Sequence, residues 1–245
     1  MARLYKSYGP YRVLYADPNW RFKNWSLSEL AKYGERWARR MGRSPYPVMS
    51  ADDIAGLPVE QLAARDSVLA MWATAPMIAD GNHEKVIRGW GFKTVTIGFT
   101  WIKLNPSGIG LFFGQGFYSH QNAEYLFIAK KGNGCRIRAR DVFSLIFWPR
   151  GEHSAKPPIA RERLERLFGD VPRIELFARR QYPGWACWGN EVPIVEGSPE
   201  DLILGDYVIP PYSAIVDEDE YQGLAFDDTL RHPDSYAPGE QMRLV

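Results

Sequence analysis

With 245 residues, 45% of them hydrophobic, the chain holds enough apolar material for one sizeable core and an appendage. Its formal net charge of +1 conceals a polarity: residues 1–190 carry 28 Lys/Arg against 16 Asp/Glu, a net +12, and residues 191–245 carry 2 against 13, a net −11. Two distant cysteines, four histidines without ligand spacing and no apolar run of bilayer length argue against a disulfide framework, a metal site and a membrane span; a cytoplasmic setting is expected.

The β-branched and aromatic run Tyr11–Ala16 predicts a buried first strand, ending abruptly in Asp17-Pro18-Asn19-Trp20. In open α/β sheets, ligands bind beyond the carboxyl ends of strands. A carboxylate, a fixed carbonyl and an aromatic face at such a tip suit an exocyclic amine on a flat base: Asp17 and the Pro18 carbonyl accept its hydrogens and Trp20 stacks on the ring. Residues 21–49, polar and aromatic with Arg36, Arg39, Arg40 and Arg43, read as a long mobile loop or short helices over a site. Ser50 is a helix N-cap with Asp52 and Asp53 in the first turn.

Val68–Thr74 reads as a buried strand, and Pro76–Trp90 as one helix with Ala79, His83, Val86, Ile87 and Trp90 on a single face. His83 is placed as a core-edge residue, not a ligand. Phe92–Lys103 and Glu124–Lys130 are strands around a glycine-rich loop, 105–118, which no helix pattern follows; a flexible loop is preferred to a phosphate cradle. Asp141–Trp148 is a further strand, Ala160–Phe168 a helix closed by Gly169, and Arg173–Phe177 with Ala186–Trp188 the last strands. Such alternation predicts an α/β, doubly wound, mostly parallel sheet. The expected division is a catalytic domain over 1–195 and an acidic tail or accessory segment over 196–245, read foremost as solvated.

Three further clusters are expected at the same sheet edge. Lys156, followed by Pro157-Pro158, points into the crevice if those prolines fix its backbone, or is simply solvated. Glu175-Leu176-Phe177-Ala178-Arg179 ends a strand in an acid, an aromatic and a guanidinium, with a plain Glu175–Arg179 ion pair as the alternative. Trp188-Gly189-Asn190-Glu191 offers groups for hydroxyls. The basic runs Arg36–Arg43 and Lys130–Arg140 suit phosphates, and Trp25, Tyr33 and Trp37 suit unpaired bases.

Read in order, these clusters resemble the adenine-N6 methyltransferases of the DPPW type, which include the catalytic subunit of the eukaryotic messenger-RNA adenosine methylation complex and bacterial and phage members. The resemblance runs from Tyr11 to Glu191 through Ala16-Asp17-Pro18-Asn19-Trp20, Tyr46-Pro47-Val48-Met49-Ser50, Trp90-Gly91-Phe92, Trp101-Ile102-Lys103, Lys156-Pro157, Ile174–Arg179 and Gly189-Asn190-Glu191. It implies a Rossmann-like, S-adenosylmethionine-dependent methyltransferase with permuted motif order. By that resemblance Asp17, Pro18 and Trp20 take the target adenine, with Asn19, Tyr46 and Glu124 near it. Lys156 reaches the cofactor carboxylate or shapes the base pocket. Asp17, Phe177, Arg179, Asn190 and Glu191 hold the cofactor, supported by Glu175.

Asn19 departs from the family's proline, which relaxes the turn. DNA is the expected substrate, with RNA second and a homodimer implied by analogy alone. Cytosine-N4 methylation, a silent nucleic-acid-binding partner subunit and a nucleotide-binding module without methyl chemistry are the rival readings.

Overall fold

The computed structural model describes residues 10–20, 49–114, 118–151, 155–189 and 192, and the backbone of 202–204 and 207–209. Strand β1 is Tyr11–Ala16, and Val13 to Ala16 are almost fully buried. That is what a continuous apolar run predicts for a strand covered on both faces. Helix α1, Ala51–Ala55, starts at Ser50. The Ser50 hydroxyl accepts from the Asp53 amide at 3.1 Å, and the Asp53 carboxylate accepts from the Ser50 amide at 3.3 Å. This reciprocal cap is worth about 1 kcal/mol. A 3₁₀ turn, Val59–Leu62, leads into β2, Ala63–Ala73.

The expected single helix over 76–90 is two. Helix α2, Ala75–Ala79, stops at Asp80, and α3, Asn82–Gly89, starts after Gly81, whose φ of +70° breaks the run. The break also shifts the apolar face. Val86, Ile87 and Trp90 are buried as expected, but Ala79 is exposed and Met77 takes its place in the core.

Strands β3, Lys93–Leu104, and β4, Ala123–Lys131, follow. Strand β5 is only Leu145–Pro149, not Asp141–Trp148. Helix α4, Ile159–Phe168, captures the preceding residues instead. Arg163 donates to the Phe143 and Leu145 carbonyls at 2.8 and 2.6 Å, and Arg166 pairs with Asp141. Strands β6, Arg173–Leu176, and β7, Ala186–Trp188, complete the sheet, and β8, Leu202–Leu204, pairs with β9, Tyr207–Ile209, as a separate hairpin.

The seven-stranded order is β5-β3-β4-β2-β1-β6-β7, with β4 alone antiparallel to its neighbours. One face packs Ile54, Met77, Val86 and Ile87 of α1, α2 and α3, with Trp90 just after α3, against Leu14 and Leu69; the other packs Ala160, Leu164 and Phe168 of α4 against Val13 and Tyr15. The chain leaves β1 toward β2 on one side, while β6 leads to β7 on the other. The winding therefore reverses between β1 and β6, where a doubly wound sheet opens a ligand crevice.

Candidate active site

Asp17 and Phe177 flank that reversal, each the first residue after its strand. Because β4 runs the other way, its first residues lie at the same edge, as the pairing of Ala73 with Tyr125 requires. Asp17, Glu124, Lys103 and Lys156 meet there. The Lys156 ammonium lies 2.7 Å from Asp17 and 3.2 Å from Glu124, and Lys103 donates to the other Glu124 oxygen. Side-chain exposure is 24% for Asp17, 15% for Lys103, 8% for Lys156 and 5% for Glu124. Lys156 is thus held between two carboxylates, not solvated.

The charges alternate, so each compensates its neighbour in a poorly hydrated place. Burial lifts the Asp17 carboxyl above the ordinary aspartate range, against the pull of Lys156 and with a push from Glu124. Burial also pushes Glu124 up, but Lys156 and Lys103 outweigh it and hold that carboxyl low. The Lys156 ammonium is opposed by burial yet held charged by Asp17 and Glu124.

The turn after Asp17 is tied on both sides. The Trp20 amide donates to the Pro18 carbonyl at 2.9 Å, leaving that oxygen one further lone pair, and the Met49 amide donates to the Asn19 carbonyl at 2.9 Å. Asn19 therefore keeps a fixed turn without the second proline. Trp20 is 5% exposed within the core cluster that includes Trp90 and Met77, and its indole nitrogen is buried without a hydrogen-bond partner.

Phe177 has φ of +61°, alone among described non-glycine residues, a conformation that costs an aromatic residue about 1–3 kcal/mol. Its ring lies nearly parallel to Trp90 at 6.5 Å and edge-on to Trp188 at 5.3 Å. The following turn is clamped to β7, where the Ala178 amide donates to the Trp188 carbonyl at 2.8 Å. At Gly189 a Cβ would lie 2.0 Å from the Ala178 carbonyl oxygen, so only glycine lets these two backbones close. Arg179 is half-buried, and its charge acts on the Asp17 carboxyl.

Glu175 does not pair with Arg179. It points to the α4 face and holds Arg161 at 2.5 Å, both side chains less than 10% exposed, with the guanidinium between the rings of Tyr15 and Tyr182. Sequence reasoning missed Arg161 and Lys103. Nothing local marks Arg161, whereas Lys103 stood inside the motif Trp101-Ile102-Lys103.

Tyr46, Asn190 and Glu191 lie outside the described residues, as do the loop arginines 36–43 with Trp25, Tyr33 and Trp37, and most of the acidic segment 196–245. The other basic run, Lys130–Arg140, leaves β4 at the opposite sheet edge, where Lys131 pairs with Ser67. A nine-residue strand separates it from Asp17 by roughly 30 Å, so it is no part of this crevice. Among the described residues no His, Cys, Asp and Glu cluster could hold a metal, and no helix is long and apolar enough to cross a membrane.

Residues 11–191 match the MT-A70 family model. The chain is 33% identical to the Type II methyltransferase M.MunI of Mycoplasma sp. over 75% of its own length and 78% of that protein. It is 27% identical to the human N(6)-adenine-specific methyltransferase METTL4, covering 74% of the chain but 37% of the relative. To the N6-methyladenosine RNA methyltransferase MTA1 of Pyricularia oryzae it is 26% identical, over 74% of the chain and 47% of the relative. The doubly wound sheet, the Asp-Pro-Asn-Trp tip at its reversal and the match from first strand to last motif converge: this chain is a methyltransferase of the MT-A70 family.

Proposed function

We propose that the protein transfers the methyl group of S-adenosylmethionine to the N6 amine of adenine in DNA. The observation that carries this reading is the Asp17 carboxylate, beside the Pro18 carbonyl, at the carboxyl end of the central strand where the winding reverses. Two acceptors side by side suit the two hydrogens of an exocyclic amine.

The residues present fit the cofactor. The left-handed turn at Phe177, clamped where Gly189 closes on Ala178, holds an aromatic ring beside Trp90 and Trp188 at the crevice edge, a surface suited to a flat nucleoside. Phe177 and Arg179 would hold its adenosine part, with Asn190 and Glu191 assigned there by motif, and Asp17 would face its amino-acid group. Bound there, S-adenosylmethionine supplies a methyl already activated on a sulfonium. The chain's own task is therefore mainly positioning. Asp17 accepts one amine hydrogen and the Pro18 carbonyl the other, and Asp17 steadies the growing positive charge on nitrogen. Lys156 shapes the base pocket by fixing Asp17, Glu175 supports β6 through Arg161, and Tyr46 gates the base. Trp20 stacks on the base once the surroundings of its buried ring open.

The long match to the Type II methyltransferase supports DNA as the polymer, and duplex DNA would need base flipping, at a few kcal/mol. RNA is the second reading, favoured by the relative named as an RNA methyltransferase. A cytoplasmic enzyme acting as a homodimer, with residues 1–195 catalytic and 196–245 an acidic accessory segment, completes the proposal.

The pH–rate profile tests the role of Asp17. The amine needs the ionised carboxylate, and burial raises the Asp17 pKa, so this group takes up its proton early as pH falls. The acid limb of kcat/KM, which reports the free enzyme, is expected above the ordinary aspartate range; a limb at or below that range would remove Asp17 from the role.

A further inference from the structure

The paired charges at the sheet edge extend one residue further than amine binding requires. Lys103 is the last residue but one of β3, and its ammonium lies 5.1 Å from the centre of the Trp101 ring. It pairs with neither Asp17 nor Lys156; its partner is Glu124, which in turn shares Lys156 with Asp17. The β3–β4 register fixes the arrangement. Trp101 lies opposite Glu124, and the Lys103 amide donates to the Asn122 carbonyl at 2.9 Å, so both side chains project from one stretch of hairpin. Glu124 has one oxygen toward each lysine.

We propose that Lys103 is a positioning residue that sets the proton affinity of Asp17 through Glu124 and Lys156. With Lys103 in place, Glu124 is already compensated, and Lys156 can give both its charge and its hydrogen bonds to Asp17. Without Lys103, Glu124 draws Lys156 toward itself and its own negative charge bears on Asp17. Both changes favour the protonated, inactive carboxyl. Without Glu124 the opposite follows, since Lys156 then belongs to Asp17 alone. Asp17 also faces Arg179, and feels Tyr15 of its own strand and Glu175 of β6; the Lys103 ammonium pairs with Glu124 and with none of these three.

This inference rests on the reading of Asp17 as the amine acceptor, but its test does not require turnover. Carbon-13 carboxyl NMR of the full chain, with the Asp17 signal assigned by its loss in Asp17→Asn, reads that pKa directly. Lys103→Met is expected to move it up and Glu124→Gln to move it down. Lys103→Arg, which keeps the charge, is expected to stay near wild type. In the Glu124→Gln background, Lys103→Met should have little further effect, because its route is gone. Retained chemical-shift dispersion elsewhere shows that each variant folds.

An unchanged Asp17 pKa in Lys103→Met, or the same shift with and without Glu124, would overturn the relay while leaving the proposed reaction standing. A relay confirmed by NMR in a chain that methylates nothing would refute the reaction alone.

Discussion

Asp17→Ala is expected to lower kcat for methyl transfer by ~10³-fold, the scale on which a single positioned proton acceptor or charge stabiliser acts. The fold is expected to survive, because Asp17 is the most exposed of the four clustered charges and Lys156 retains Glu124 when it is gone. Circular dichroism and a melting curve check the second point, and single-turnover transfer checks the first. Transfer near the wild-type rate would show that the acid at the tip of β1 is not the amine acceptor.

The second large effect concerns stability. Arg161→Met leaves Glu175 charged in a site where its side chain is 8% exposed, and removing one member of a buried pair costs about 3–5 kcal/mol. For a domain of this size that corresponds to a fall in Tm of roughly 10 °C. Methionine refills the aliphatic part of the site but loses the guanidinium contacts with the Tyr15 and Tyr182 rings, which adds to the loss.

The sign with pH follows from Glu175. Burial lifts its carboxyl above the usual range even with Arg161 present, so without Arg161 it takes up a proton as pH falls and the deficit shrinks. Adding Glu175→Leu should recover most of the stability, because exchanging both partners for apolar groups is often close to neutral. A loss below about 1 kcal/mol in Arg161→Met alone would show that the pair is hydrated in solution.

These two sites also show what the sequence could tell. The first strand and its tip were legible because a continuous apolar run stopped at residues with unmistakable chemistry. The Ser50 cap was legible because its hydrogen bonds span only three residues. Glycine closing α4 at 169 was legible for the same local reason, with φ of +71° at that position. Helix α2–α3 was misread because the apolar spacing continued through Gly81, and periodicity does not register a single left-handed residue. Strand β5 was misread because residues before Leu145 have strand composition but are bound by arginines of α4.

The site itself divides in the same way. Asp17, Lys156 and Phe177 announced themselves by motif, whereas the grouping of Lys103 with Glu124 depends on hairpin register across 21 residues. Arg161 and Glu175 come together only when α4 crosses the sheet. The basic run after β4 was legible as charge, but its distance from Asp17 follows from β4 alone running against the sheet.

The most direct measurement is transfer of isotopically labelled methyl from S-adenosylmethionine to unmethylated duplex DNA, single-stranded DNA and RNA in parallel, with digestion and nucleoside analysis of each product. Label in N6-methyladenine from DNA, absent with Asp17→Ala, is the predicted result. Label in N4-methylcytosine, or no label together with no calorimetric binding of S-adenosylmethionine, would contradict it.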